Sequence, residues 1–166
     1  MAGQPIFRGQ GASIQRDKNR FVLPAKFRPV LKDKNHGGES KVSFNKSPQW
    51  TCLIGYGDDY SDQFAEMIEQ EKREAREDGV PYDVMLRKTQ LYNDVTVPFD
   101  NGGRFVMPPS LLRAAKIDDQ AFFLSAGEIF LVWAPEQLYA MGDEWDMAKE
   151  NCRDEMAAEL AKGNRK

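Results

Sequence analysis

The 166-residue sequence predicts an α+β fold, mainly β, built from two tandem copies of one small unit and capped by helices. Three observations predict it. The first is an internal repeat: residues 14–24, IQRDKNRFVLP, match residues 98–108, PFDNGGRFVMP, at an offset of 84, pairing Arg20, Phe21, Val22 and Pro24 with Arg104, Phe105, Val106 and Pro108. A weaker echo sets 52–57 against 130–135 at an offset of 78. The second is composition: 41% hydrophobic and 30% charged residues suit a chain that buries a real core. The third is punctuation by Gly, Asn and Pro at places where short extended segments must turn or stop.

Each half reads as strand, turn, strand, short helix, strands and longer helix. In the second copy, Asn101, Gly102 and Gly103 accept positive φ between strand-like 94–99 and 105–107, so a tight hairpin is expected, with Arg104 emerging beside its tip. In the first copy Asp17, Lys18 and Asn19 occupy that place; Asn19 can adopt the left-handed conformation, and Arg20 emerges at the equivalent spot. Pro24 and the Pro108, Pro109 pair end the returning strands and open short helices. Pro29 is expected to hold the first of these to little more than a turn, while 110–116 can run for two.

Asp58, Asp59 and Ser61 suit a helix N-terminus through capping and the helix dipole, and Phe64, Met67 and Ile68 then define a buried face. The rest of that helix, to Gly79, is a mixed-charge solvated surface. Pro135 opens the last long helix, with Leu138, Met141, Trp145, Ala148 and Cys152 as one packing stripe, and fraying is expected over 157–166.

Net charge is -3, but residues 1–50 carry +7 and residues 51–166 carry -10. That division suggests a basic face for a polyanion and an acidic remainder that is solvated or meets another subunit. The longest apolar runs, 121–124 and 129–134, are far short of the roughly 20 residues a bilayer span requires, so no membrane partner is expected. The N-terminus has no apolar export segment, which makes the cytoplasm the expected compartment. Cys52 and Cys152 read as reduced, semi-buried thiols, with neither a metal site nor a cofactor implied. No phosphate-binding Gly-rich loop, zinc-protease helix or nucleophile elbow occurs, and His36, the lone histidine, reads as a loop residue; the chain is not expected to be an enzyme.

With the paired tips in view, the chain resembles the MraZ family, bacterial transcriptional regulators made of two tandem SpoVT-AbrB units. Phe7, Arg8 and Gly9 resemble that family's N-terminal signature, and its turn signature is complete in the second copy as Asp100, Gly103 and Arg104. The first copy departs from it, with Arg16 where the family has Asp and Asn19 where it has Gly. The resemblance spans roughly 6–145 and divides the chain into a first repeat at 6–58, a connecting helix and linker at 59–88, a second repeat at 89–135 and a C-terminal helix and tail at 136–166. It implies a double-split β-barrel of swapped hairpins, a ring-shaped homo-oligomer, nucleoid association, and binding to tandem promoter repeats upstream of a division and cell-wall gene cluster, chiefly as a repressor of its own operon.

On this reading double-stranded promoter DNA is the partner. Arg20 and Arg104 reach it from the tips, Arg8, Arg16, Lys18 and Arg28 add phosphate contacts, and Asn19, Asp100, Gly102 and Gly103 shape the turns. Arg104 has a second reading, as a brace paired with Asp100. In the first copy Arg16 would repel Arg20, so no such brace is expected there. The alternative function is an oligomeric scaffold or antitoxin-like module whose tips contact protein instead.

Overall fold

The computed structural model describes residues 5–163. Eight strands and seven helices follow one another as β1 (Gln10–Ile14), β2 (Arg20–Val22), α1 (Phe27–Lys34), β3 (Lys41–Lys46), β4 (Leu53–Tyr56), α2 (Asp58–Ser61), α3 (Phe64–Asp78), α4 (Val84–Tyr92), β5 (Val95–Pro98), β6 (Arg104–Val106), α5 (Pro109–Ala114), β7 (Gln120–Ala126), β8 (Ile129–Trp133), α6 (Pro135–Tyr139) and α7 (Asp146–Gly163). The result is an α+β fold whose strand pairs are antiparallel throughout. One sheet has six strands in the order β1-β7-β8-β4-β3-β5; the other is a ribbon of β2 and β6.

The two copies interlock strand by strand. The first strand of each pairs with the third strand of the other, and Ile14 opposite Gln120 recurs as Pro98 opposite Lys41. Phe21 faces Phe105 in the ribbon, and Ile54 faces Leu131 where β4 meets β8 at the sheet centre. Neither copy closes its own sheet. The boundary drawn at 88/89 falls inside α4, a helix the sequence reading does not contain.

Alternation along the central strands explains why their sequences are apolar without a break. Phe130 and Val132 join the core beneath the ribbon, whereas Leu131 and Trp133 join the core on the opposite face. A sheet buried on both faces needs apolar residues at every position. The first core is aromatic: Phe130 lies 5.0 Å from both Phe7 and Phe27, edge-on to the one and tilted to the other. Gly55 is small because Phe130 occupies its space; a Cβ there would sit 2.5 Å from a ring carbon. The second core collects Tyr56, Phe64, Ile68, Leu138, Cys152 and Met156 from β4, α3, α6 and α7.

Several expectations need correction. The expected hairpins are closed only at their turns: one arm joins the large sheet, the other the ribbon, so the arms separate instead of laddering. Pro29 does not shorten α1, which spans eight residues, because it sits in the first turn, where the missing N–H would have had no helical partner. The last helix is two, α6 and α7, separated by Gly142 and a short 3₁₀ turn at Asp143–Trp145. Its stripe still packs, with Leu138 and Cys152 fully buried and Met141, Trp145 and Ala148 against them. Helix α7 is regular to Gly163, and the remainder of the tail lies outside the described residues.

Asp58 and Asp59 are not side-chain caps, since Gly57 holds that position without one. They are anchors instead. Asp58 Oδ2 accepts from His36 N at 2.9 Å and from Lys41 Nζ at 3.1 Å, and Asp59 Oδ2 lies 3.1 Å from the buried Lys34 Nζ. His36 is correspondingly a paired residue in a short 3₁₀ turn, its Nε2 2.7 Å from Asp62 Oδ2. Both cysteines are fully buried, and burial pushes the Cys52 thiol up to about 12, which keeps it protonated and unreactive.

Candidate nucleic-acid interface

The ribbon forms from two copies of the tripeptide Arg-Phe-Val. Alternation sends Phe21 and Phe105 into the core and leaves Arg20, Val22, Arg104 and Val106 on the outer face. Arg20 stands opposite Val106 and Arg104 opposite Val22, so the two arginines are diagonal neighbours across the ribbon, with Cα atoms about 7–8 Å apart. They line one shallow depression of about 510 Å³, together with Pro98, Phe99, Asp100 and Val106. The sequence places them 84 positions apart on separate hairpins; the fold makes them one feature.

The turns that present them are built differently. In the second, Gly103 takes φ +82 and its N–H donates to the Asp100 carbonyl at 2.9 Å; Asn101 and Gly102 do not use positive φ. Asp100 Oδ1 accepts from Gly102 N at 3.0 Å and Arg104 N at 2.9 Å, and Asp100 Oδ2 lies 2.7 Å from Arg104 Nε. The Arg104 backbone N–H, then its side chain, hold the Asp100 carboxyl below the usual carboxylate range. Arg104 is thereby braced while still exposed.

In the first turn Asn19 takes φ +64 and donates its N–H to Gln15 Oε1, while the Arg20 N–H, equivalent to the one Asp100 Oδ1 accepts from Arg104, donates to the Asp17 carbonyl at 3.1 Å. Gln15 Nε2 donates to the Asp118 carbonyl at 3.1 Å, tying this tip to the segment before β7. Arg20 does have a partner, contrary to the expectation drawn from Arg16: its Nη1 lies 3.6 Å from Asp17 Oδ2. Both pairs are exposed and screened by water, but at 3.6 Å Arg20 makes no hydrogen bond to its carboxylate, so it is held more loosely than Arg104 at 2.7 Å.

The remaining cations divide by location. Arg16 and Lys18 are exposed beside the first tip. Arg8 is exposed too, but β1, about 17 Å long, separates it from that tip. Its neighbour Phe7 anchors the segment in the aromatic core and donates its N–H to Gly127 O at 2.7 Å. Arg28 is half-buried, with Nε and Nη2 donating to the Leu23 carbonyl at 3.2 and 3.0 Å. Arg16, Lys26 and Arg28 share a cleft of about 470 Å³ with Glu155 and Glu159 of α7. Sequence reasoning missed Gln15, Lys26 and these two glutamates, since nothing local shows which strand or helix will face them.

Chemically the outer ribbon can hold two guanidinium groups on a rigid support, suited to phosphate oxygens or to the paired acceptors of guanine. No protein-family model matches the chain. Curated relatives do. A protein of Ruegeria pomeroyi named transcriptional regulator MraZ is 30% identical over 150 residues, covering 84% of this chain and 86% of its own length. Proteins of the same name from Rhodospirillum rubrum and Rickettsia akari are each 30% identical, over 124 and 125 residues, covering 74% and 72% of the chain.

Proposed function

The chain belongs to the MraZ family of transcriptional regulators, and from that premise we propose that it binds double-stranded promoter DNA through the outer face of the ribbon, with Arg20 and Arg104 as its central contacts. The observation that carries this reading is their juxtaposition: two exposed arginines from equivalent positions, diagonal on one two-stranded support. Arg16 and Lys18 supply phosphate contacts beside the first tip, and Arg8 reaches a more distant phosphate. Asn19, Asp100, Gly102 and Gly103 hold the turns that present the arginines.

We read the crossed pairing of the copies as the swapped, split-barrel arrangement that the family resemblance implies. Few cations per chain face the ligand, so useful affinity requires several subunits on tandem repeats. A ring-shaped homo-oligomer meets that need. Exposed Val80, Met85, Leu86 and Tyr92, grouped on and before α4, support a contact between subunits there. In this account the protein works in the cytoplasm at the nucleoid, repressing a division and cell-wall gene cluster that includes its own operon. Among the described residues no helix is long and apolar enough to cross a membrane.

The test is equilibrium binding of the full chain to a duplex from upstream of its own gene and to a scrambled duplex of equal composition, across a salt series, with mass measured in solution. The expected result is preference for the upstream duplex, with log K falling by about 0.9 per log unit of salt for each phosphate neutralised. Equal binding to both duplexes, or none at low salt, would refute the DNA reading and favour a scaffold that contacts protein.

A further inference from the structure

Arg28 is the least accessible of the cations around the two tips, and its side chain lies against the other copy's tip. The Leu23 N–H donates to Gly103 O at 2.9 Å, and the Leu23 carbonyl accepts both Arg28 bonds. The guanidinium therefore lies under the second turn. A Cβ at residue 103 would come within 2.6 Å of Arg28 Cζ and 2.8 Å of Nη2. Glycine at this position thus serves twice, permitting φ +82 and leaving room for the Arg28 plane.

The internal repeat supplies a control. Met107 N–H donates to Asn19 O at 2.7 Å, the same backbone bond at the other tip. Yet the residue 84 positions after Arg28 is Leu112, which has no side-chain donor, and the residue equivalent to Gly103 is Asn19, which has a Cβ. One tip is clasped by a guanidinium and carries glycine; the other has neither.

We propose that Arg28, from the first copy, is a positioning residue that fixes the second copy's Asp100–Arg104 turn and so aims Arg104, and that it does not contact phosphate itself. The proposal rests on the DNA reading for its consequence, and on the geometry of Gly103 for its cause. A guanidinium suits the role because its rigid fork brings two donors, Nε and Nη2, to one carbonyl while it fills the space beside Gly103. Lysine carries the same charge without that shape.

The experiment uses the full chain with Arg28→Lys, Arg28→Leu, Arg104→Ala and the Arg28→Leu/Arg104→Ala pair. Two readouts are taken: affinity for the upstream duplex, and amide hydrogen exchange in the free protein. Both Arg28 variants are expected to weaken DNA binding on the order of tenfold, and Arg28→Leu to add nothing once Arg104 is gone. Exchange should quicken at Gly102, Gly103 and Arg104 and stay unchanged at Asn19 and Arg20. If Arg28→Leu fails to fold, Arg28→Lys decides on both readouts. Wild-type affinity in Arg28→Lys, losses that multiply in the double variant, or unaltered exchange at the second turn would overturn the proposal. Quickened exchange in a protein whose wild type binds no DNA would instead refute the DNA reading and leave the positioning role standing.

Discussion

Arg20 and Arg104 occupy the same place in two copies of one motif, yet they differ in freedom. Arg104 is hydrogen-bonded to Asp100 at 2.7 Å, while Arg20 reaches its carboxylate partner only at 3.6 Å. Arg20→Ala is therefore expected to remove a DNA contact at about 1–3 kcal/mol per subunit with no change in thermal midpoint; a binding titration paired with a melting curve checks it. Asp100 gives a pH dependence with a definite sign. Its folded pKa is depressed, so its contribution is present above the unfolded carboxylate pKa and is lost as pH falls through the folded value. Protection from amide exchange at Gly102 and Arg104, taken relative to the intrinsic rate at each pH, should fall on acidification in that window, and Asp100→Asn should show the lower protection at neutral pH already. The paired arginines were legible in the sequence because a repeat preserves residue identity. Gln15 was not, nor was the place of Arg28 beneath the second turn, since each lies against a neighbour that only the folded chain brings near: Asp118 and Gly103 are 103 and 75 positions away.

Among the elements, strands with two buried faces were readable as apolar runs, and the ribbon's strands as repeats. Which sheet each arm would join was not, because turn chemistry fixes the reversal and distant strands fix the pairing. The break between α6 and α7 escaped for another reason: apolar residues keep a helical spacing across Gly142, although the backbone leaves the helix there. Packing at the sheet centre yields a stability prediction. Gly55→Ala would press a methyl into the Phe130 ring and cost about 1–3 kcal/mol, whereas Phe130→Ala would empty the aromatic core at about 3–5 kcal/mol; chemical denaturation of both variants measures the order. The ties between the 3₁₀ turn after α1 and α2 add a weaker term. His36 has its pKa raised, first by its hydrogen bond to Asp62 and then by that carboxylate's charge. That stabilisation is complete below the unfolded histidine pKa and is lost as pH rises through the folded one. Wild-type and His36→Ala melting curves should accordingly converge on the alkaline side of that window and separate on the acid side.

For the whole molecule, the interlocking of the copies has a functional consequence. Because β2 and β6 come from different copies, the two arginines share one surface only when the entire chain is folded. A fragment of either copy would lack a partner strand at the ribbon and at both ends of the large sheet. The charge asymmetry belongs to this scale as well, and it was visible before any element was assigned; the position of Glu155 and Glu159 beside Arg16 and Lys26 was not. Neutralising both glutamates to Gln should raise affinity for any duplex, scrambled or not, since a phosphate contact carries no sequence information. The most direct measurement is the affinity of the Arg20→Ala/Arg104→Ala chain for upstream and scrambled duplexes, at matched oligomer mass and thermal midpoint. Preference for the upstream duplex is expected to disappear; a double variant that keeps wild-type affinity and preference would show that the two arginines are not the DNA contacts.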